Sequence, residues 1–311
     1  MDRSGVASLA IVLGVTMSGY SIIDLGPSGA GKSSLCRDAL LHEGSGVVLL
    51  APGDAERVSY LEFEDNDAYQ IGSFDDSEFF PTVGEWEATG QKNAVTALRN
   101  VASVLKKDRE EGKPLRWRVL VLDSLSSFSH LSVNAMMAAM RLDDAPKAMS
   151  PEGARYYSGI RNKTEEVLRA ARVCQGFGMH LLCTTHVTEK EQKLGTGLAT
   201  QISKTVHVPL MAGSIRDTVT QMFDLAVYAG IDTANELVDG RNDPARPRFY
   251  VQWVPDPKRP TKWRGGVLSA TDKLPNDWRV LRDAIEASLA TRSQREAPSQ
   301  TDASQSAQSA T

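Results

Sequence analysis

Residues 26–33 read Gly26-Pro27-Ser28-Gly29-Ala30-Gly31-Lys32-Ser33, which matches the Gly-x-x-x-x-Gly-Lys-Ser pattern of a phosphate-binding loop. The apolar run at 20–25 before it is typical of a strand, and residues 32–41 after it have the pattern of a helix. A glycine-rich loop in this setting turns its backbone N–H groups towards phosphates at the positive end of the helix dipole. The sequence therefore predicts a nucleoside triphosphate site.

The residues of this loop are expected to hold different parts of the nucleotide. The Lys32 amino group would contact the β- and γ-phosphates, and the Ser33 hydroxyl would be a ligand of Mg²⁺. A chance match in a glycine-rich turn is the alternative, but the strand before the loop and the helix after it argue against that interpretation. The expected nucleotide-binding residues are Gly26, Pro27, Ser28, Gly29, Ala30, Gly31, Lys32, Ser33 and Ser34.

Strand and helix patterns alternate along the rest of the chain. The near-continuous apolar run at 46–51 is typical of a parallel strand covered on both faces, whereas residues 248–254 alternate like an antiparallel or edge strand. Further strands are predicted at 118–123, 179–185 and 223–229, and helices at 93–110, 134–142, 156–175 and 278–289. We expect an α/β fold with a mostly parallel central sheet, helices on both faces and an antiparallel C-terminal hairpin.

The length of 311 residues is enough for one large α/β domain. We expect that domain to cover residues 19–290, with an acidic insertion at 62–91 and a helical segment at 129–175. Residues 1–18 would form an N-terminal leader segment. Residues 291–311 are rich in Ser, Gln, Ala and Thr and contain no large apolar residue, which predicts a disordered tail.

Composition and charge limit the partners of the chain. The formal net charge of −4 gives no overall attraction to nucleic acid, so a polyanion would need a local basic surface. Cys36, Cys174 and Cys183 lack metal-binding spacing, which indicates reduced, buried thiols in a cytoplasmic protein. No apolar stretch approaches the roughly 20 residues that cross a bilayer, so no membrane contact is expected.

Asp123 ends the apolar strand predicted at 118–123. In enzymes with a phosphate-binding loop, an aspartate at such a strand end holds Mg²⁺ directly or through water. An aspartate before Ser124 could instead be only a turn residue. Because the loop is present, we expect Asp123 to complete the Mg²⁺ site with Ser33.

Hydrolysis also needs a group that positions or deprotonates the attacking water. Asp54-Ala55-Glu56 directly follows the second predicted strand. Here the sequence resembles the RecA-like recombinase family, whose catalytic glutamate comes after the strand that follows the P-loop helix. The resemblance implies a RecA-like P-loop ATPase in which Glu56 is the catalytic base. The alternative is that Asp54 caps a helix and Glu56 is solvated.

The strand predicted at 179–185 is followed by His186. RecA-like proteins carry a polar residue here, often glutamine, that senses the γ-phosphate. A histidine resembles the variant in phage-encoded RecA-like ATPases, AAA-type nucleotide-binding proteins that act in single-strand annealing or recombination. The resemblance implies that Thr185 and His186 donate hydrogen bonds to phosphate or to the lytic water, with His186 as a catalytic residue. A purely structural histidine is the alternative.

Two later segments are candidates for contacts with DNA or another subunit. Residues 189–209 combine glycines with spaced lysines, as in a mobile loop that follows a phosphate backbone, although an ordinary surface loop or a subunit contact fits as well. Lys262-Trp263-Arg264 resembles the Lys-x-Arg pair that RecA-like and hexameric-helicase ATPases extend into the next subunit's ATP. The resemblance implies catalytic roles for Lys262 and Arg264. A basic hairpin that is solvated or contacts DNA phosphate is the alternative.

The resemblance as a whole implies a Mg²⁺-dependent ATPase that binds single-stranded DNA in phage-type recombination, annealing or replication. It also implies a homo-oligomer with the ATP site between subunits and, as a further partner, a single-strand DNA-binding protein. A second hypothesis is an ATP-driven assembly or packaging factor that contacts a protein partner through residues 62–91. A small-molecule kinase is a third, and the sequence has no evident arginine-rich lid to support it.

Overall fold

The computed structural model describes residues 19–50, 58–63, 68–73, 86–194, 202–232, 237–238, 241–242, 248–254, 258–264 and 273–296. The strands are β1 Ser21–Gly26, β2 Gly46–Leu50, β3 Tyr69–Ser73, β4 Val119–Asp123, β5 His180–Leu194, β6 Ile202–Pro209, β7 Leu225–Asp232, β8 Leu237–Val238, β9 Arg241–Asn242, β10 Arg248–Gln252, β11 Lys262–Trp263 and β12 Lys273–Pro275. The α-helices are α1 Lys32–Glu43, α2 Trp86–Glu110, α3 Leu125–Met140, α4 Pro151–Gln175, α5 Ile215–Thr218 and α6 Trp278–Glu296, and the 3₁₀ helices are Val58–Phe63 and Val219–Met222.

The main sheet places the P-loop strand at its centre. Its order is β12-β10-β7-β1-β5-β4-β2-β3, and all pairs from β7 to β3 along this order are parallel. Strand β10 is antiparallel to β7, β12 is antiparallel to β10, and β11 is antiparallel to β7. Because parallel strands end at the same edge, the residues after β1 and β4 meet beside the middle of β5.

Helices cover both faces of this sheet. On one face α2, α3 and α4 bury Leu98, Phe128 and Leu168. On the other face α1 and α6 bury Leu35 and Trp278. The predicted α/β fold class is therefore confirmed: a mostly parallel sheet with helices on both faces and antiparallel C-terminal strands.

Residues 62–91, predicted as an acidic insertion, contribute regular structure where the structure describes them. Strand β3 adds to β2 as a parallel edge strand, and α2 begins at Trp86 and not at residue 93 as predicted. Strand β3 reads Tyr-Gln-Ile-Gly-Ser, so it lacks the continuous apolar run by which the central strands are recognised. An edge strand has less apolar surface to bury, which explains why the pattern misses it.

The structure also corrects the prediction of a mobile loop at 189–209. Strand β5 continues past the sheet to Leu194 and pairs antiparallel with β6, from Val187 opposite Pro209 to Leu194 opposite Ile202. We call residues 187–194 and 202–209 the β5–β6 ribbon. The intervening residues 195–201 lie outside the described part of the chain.

Two helix boundaries also differ from the predicted ones. Helix α3 begins at Leu125 because the Ser124 hydroxyl accepts a hydrogen bond from the Ser127 N–H, at 3.2 Å, and so caps the helix. Helix α6 continues to Glu296, so residues 291–296 of the expected tail are helical. Arg, Gln and Glu in this stretch are good helix formers. None of the helices in the described residues is long and apolar enough to span a bilayer.

Candidate nucleotide-binding site

The P-loop connects β1 to α1 in a conformation that its glycines permit. Gly29 and Gly31 have φ angles of 76° and 87°, which is the left-handed region that side chains with a Cβ avoid. The Lys32 amino group donates to the carbonyl oxygens of Gly26 at 3.0 Å and Pro27 at 2.7 Å. The lysine thus lies along the inside of the loop, where a phosphate would replace the two carbonyls.

A cavity of about 390 Å³ opens above this loop. That volume is in the range of small-molecule sites. The cavity is polar on the loop side and has one aromatic ring at its rim. It is lined by Ser28, Gly29, Gly31, Lys32, Ser33, Ser34, Ser59, Asp123, His186 and Phe249.

Asp123 is the buried acid of this site, and three hydroxyl groups donate to its side chain. Ser33 Oγ and Tyr60 Oη donate to Oδ2 at 2.7 and 2.8 Å, and Thr184 Oγ1 donates to Oδ1. The Ser33 hydroxyl and the Asp123 carboxylate are oxygen donors side by side at the phosphate end of the cavity. This donor set fits a hard cation such as Mg²⁺.

His186 stands where the sheet ends and the β5–β6 ribbon begins. Its Nδ1 lies 3.4 Å from Lys32 Nζ, and its backbone N–H donates to Ser126 Oγ at 2.9 Å. Burial, and then the Lys32 charge, lower the pKa of His186, while Asp123 raises it to a smaller extent. A neutral imidazole at the wall of the cavity is the result.

Residues 18–264 match a family model described as AAA domain. The chain belongs to this AAA domain family. The match includes the P-loop, β4 with Asp123, and β5 with His186. Membership in an ATP-binding family agrees with the cavity above the loop, so a P-loop nucleotide-binding domain is established here.

No curated protein is similar in sequence. Among solved structures, the pCW3 conjugation coupling protein TcpA, a monomer form with ATPγS, is 17% identical, with a TM-score of 0.33, over 68% of this chain and 49% of that chain. The RadB recombinase is 11% identical, with a TM-score of 0.35, over 78% of this chain and 92% of that chain. The AAA-domain chain spans about half the length of the coupling protein. With both TM-scores below 0.5, neither likeness bears on function.

The structure brings most of the predicted site residues that it describes together, with Thr185, Lys262 and Arg264 as exceptions. Thr185 is fully buried, and its hydroxyl lies 2.7 Å from Ser126 Oγ on the α3 side of the sheet. It therefore supports the serine that holds the His186 backbone, and it does not line the cavity. Thr184 is the neighbour that reaches the acid, through its bond to Asp123. Glu56 lies outside the described residues.

Lys262 and Arg264 lie away from the cavity of their own chain. Strand β11 pairs with Leu225 and Ala226 at the start of β7, the end opposite the P-loop. Lys262 Nζ donates to the carbonyl oxygens of Thr220 at 3.0 Å and Phe223 at 2.9 Å. Burial, and then the Arg264 charge, lower the pKa of Lys262 to about 8.

Arg264 is exposed, and its guanidinium donates to the Gln221 carbonyl oxygen. Within one chain, Lys262 and Arg264 therefore donate hydrogen bonds to carbonyl oxygens in and just after the 3₁₀ helix Val219–Met222. Catalytic roles across a subunit interface remain predictions.

Three residues of the site carry no motif and are found only in the structure. Tyr60 donates to Asp123 from the 3₁₀ helix Val58–Phe63. Phe249 lies at the rim, where a Cβ built on Gly31 would be 3.2 Å from its ring. Asn276 donates to the Gly31 carbonyl oxygen at 2.9 Å. These contacts join segments far apart in the chain, so no local pattern predicts them.

Asp24 is a further buried residue near the site. The sequence does give a hint of it, because it is an acid within the apolar run of β1. It is 2% exposed, and neither carboxylate oxygen has a hydrogen-bond partner among the described residues. Burial raises its pKa to about 7; Lys32 and, weakly, the Ala229 backbone oppose this rise, and Asp123 adds to it. Asp24 therefore takes up its proton at a much higher pH than an ordinary aspartate, as pH falls through about 7.

Proposed function

We propose that this AAA domain is a Mg²⁺-dependent, RecA-like ATPase that binds single-stranded DNA in phage-type recombination, annealing or replication. The observation that carries the proposal is the arrangement of Lys32, Ser33, Asp123 and His186 around one cavity. A lysine for the phosphates and an oxygen pair for a hard cation are groups that phosphoryl transfer uses, and a neutral histidine beside them can donate a hydrogen bond to phosphate or water.

The chain's own residues would bind and orient the triphosphate. The P-loop N–H groups and the start of α1 hold the phosphates, and the Lys32 amino group exchanges Gly26 and Pro27 carbonyls for β- and γ-phosphate oxygens. Ser33 and Asp123 would hold Mg²⁺, which when bound neutralises charge developing between the β- and γ-phosphates. Phe249 stands at the rim, where an apolar face could cover the nucleoside.

Two groups would serve the attacking water. Glu56 is proposed as the base that accepts its proton. Because Lys32 is placed to donate to His186 Nδ1, the neutral ring carries its hydrogen on Nε2 and can donate to a γ-phosphate oxygen. Thr185 and Ser126 keep the histidine backbone in place, so we assign Thr185 a supporting role.

The DNA-binding part of the proposal rests on the β5–β6 ribbon. The same strand that carries His186 continues into the ribbon, and the exposed Lys190 lies on it. A contact with the γ-phosphate at His186 could thus shift a lysine-bearing segment outside the sheet. A homo-oligomer with Lys262 and Arg264 facing the next subunit's ATP, a single-strand DNA-binding protein as partner and a location in the host cytoplasm complete the proposal.

The test is steady-state ATP hydrolysis with Mg²⁺, with and without single-stranded DNA, across a salt series. We expect stimulation by DNA that fades as salt rises, because phosphate contacts release counterions. Lys190→Ala should weaken the stimulation and reduce the salt slope by about one contact. Lys107→Ala, which removes an exposed lysine of α2, is the matched control.

A rate that ignores DNA at low salt would overturn the DNA-binding part of the proposal. If a protein extract fraction then changed the rate, the assembly or packaging hypothesis would replace it. In either case the nucleotide site would remain as described.

A further inference from the structure

The 3₁₀ helix Val58–Phe63 is attached to the nucleotide site by a buried tyrosine. Tyr60 and Phe63 are both at most 2% exposed, whereas the neighbouring Ser59 lines the cavity. The Phe63 ring packs against Tyr69 of β3, with ring centroids 4.7 Å apart. The helix is thus held by its aromatic residues while its Ser59 side faces the cavity.

The Tyr60 hydroxyl contacts Asp123, the acid that lines the phosphate end of that cavity. It donates to Asp123 Oδ2 at 2.8 Å within the protein interior. A phenol O–H donates, so this contact directs the hydroxyl proton of Tyr60 towards the carboxylate oxygen. On the other oxygen, Thr184 Oγ1 donates to Oδ1. Each carboxylate oxygen of Asp123 therefore accepts a hydrogen bond from a hydroxyl group, and the two hydroxyl groups belong to different elements.

A third hydroxyl, that of Ser33, shares Oδ2 with Tyr60. Under the proposed function, the Ser33 hydroxyl would bind Mg²⁺ through a lone pair of its oxygen, which leaves its O–H free to donate to Asp123. Tyr60 is the donor to Oδ2 that is not itself a proposed ligand of the ion, and Thr184 donates to the other oxygen. Without the Tyr60 hydroxyl, the carboxylate could rotate away from the direction in which it must meet the ion.

We propose that Tyr60 is a positioning residue for Mg²⁺: its hydroxyl fixes Asp123 Oδ2, Thr184 fixes Oδ1, and the pair holds the carboxylate in its metal-binding orientation. This inference rests on the proposed function. Partners that orient a metal ligand are worth about 10- to 100-fold in metal affinity or activity. Tyr60 does not itself line the cavity, so the removal of its hydroxyl should spare nucleotide binding that does not depend on metal.

The experiment is a Mg²⁺ titration of fluorescent N-methylanthraniloyl-ATP binding to the full chain. For Tyr60→Phe we expect the Mg²⁺ concentration at half-maximal response to rise about tenfold. The affinity measured in EDTA should stay within about twofold of the wild-type value, because the ring and the P-loop are unchanged. Tyr69→Phe is the matched control: its hydroxyl donates to the Leu40 carbonyl oxygen at 3.2 Å and should leave the Mg²⁺ midpoint unaltered.

A second pair of variants covers the case in which Tyr60→Phe folds poorly. Thr184→Val removes the hydroxyl on Oδ1 and should raise the Mg²⁺ midpoint, and Thr184→Ser keeps a hydroxyl and should restore it. An unchanged midpoint in Tyr60→Phe, or in Thr184→Val when that variant is the one used, would overturn the positioning role. Equal losses with Mg²⁺ and with EDTA would also overturn it. A wild-type chain whose nucleotide binding ignores Mg²⁺ would overturn the proposed function and this role together.

Discussion

Lys32, Asp24 and Asp123 are three ionisable side chains close to the P-loop. Lys32 and Asp123 have partners that a bound nucleotide and cation would replace, whereas Asp24 has none among the described residues. A buried carboxyl group without partners is costly when ionised. At the residue scale, the free energy of unfolding should therefore depend on the ionisation of Asp24 in β1, the strand before the P-loop.

The Asp24 carboxyl predicts how stability depends on pH. Its pKa in the folded chain is about 7, against a usual value of 3.8, so the folded state keeps the proton to higher pH than the unfolded state. The favourable contribution is complete below the unfolded value and is lost as pH rises towards the folded one. Over that window the loss is at most about 4 kcal/mol.

Asp24→Asn removes this titration and should stabilise the chain increasingly from about pH 5 to about pH 8. Urea unfolding of the wild type and of the variant at both pH values measures the difference. The same stability gap at both pH values would contradict a raised pKa at Asp24.

The sequence is informative about residues whose role is set by local backbone geometry. Lys32 and Ser33 follow from the loop pattern, and Asp123 follows from its place at a strand end. Tyr60 and Phe249 are unpredictable in this way, because packing brings their segments to the cavity. Thr184 and Thr185 show a further limit: adjacent residues of a strand point to opposite faces, and only the register decides which one reaches Asp123.

At the element scale, the C-terminal strands do more than close the sheet. Strand β10 is antiparallel to β7 and carries Phe249 to the rim of the cavity, opposite Ile231. The Phe249 side chain is 41% exposed, and it lines the cavity. A nucleoside in the cavity would cover the ring.

Phe249→Ala should therefore weaken nucleotide binding by about 2- to 10-fold, the value of one aromatic contact. Equilibrium titration with fluorescent nucleotide measures this, and hydrolysis at saturating ATP should change little. Val173→Ala is a control, since Val173 of α4 is 54% exposed and does not line the cavity. Unchanged nucleotide affinity in Phe249→Ala would place the nucleoside elsewhere.

Strands in the apolar centre of the sheet could be predicted from the sequence, whereas strands at its edge or beyond it were harder to predict. Strands β1, β2, β4 and β5 follow from apolar runs, but the outer half of β5 and all of β6 form a ribbon beyond the sheet. The residues of that ribbon are polar and charged enough to resemble a loop. Pairing between the two strands, and not burial of a core, gives the ribbon its regular structure.

At the scale of the whole molecule, the two halves of the predicted catalytic set lie at opposite ends of the sheet. Lys32, Ser33, Asp123 and His186 meet at one edge, and Lys262 and Arg264 lie near the start of β7. A single chain cannot bring the second group to its own cavity without rearrangement. The roles proposed for Lys262 and Arg264 therefore require an oligomer, in which one chain's basic hairpin meets another chain's nucleotide.

The central claim is that this chain hydrolyses ATP at the cavity above the P-loop. Steady-state hydrolysis of ATP by the purified wild type and Lys32→Ala, each with Mg²⁺ and with EDTA, tests it most directly. Lys113→Ala, which removes an exposed lysine paired with Glu111, is the control. We expect Mg²⁺-dependent hydrolysis in the wild type and the control, and a rate lower by at least about 10²-fold in Lys32→Ala. A wild type without hydrolysis, or a Lys32→Ala variant that keeps it, would contradict the account.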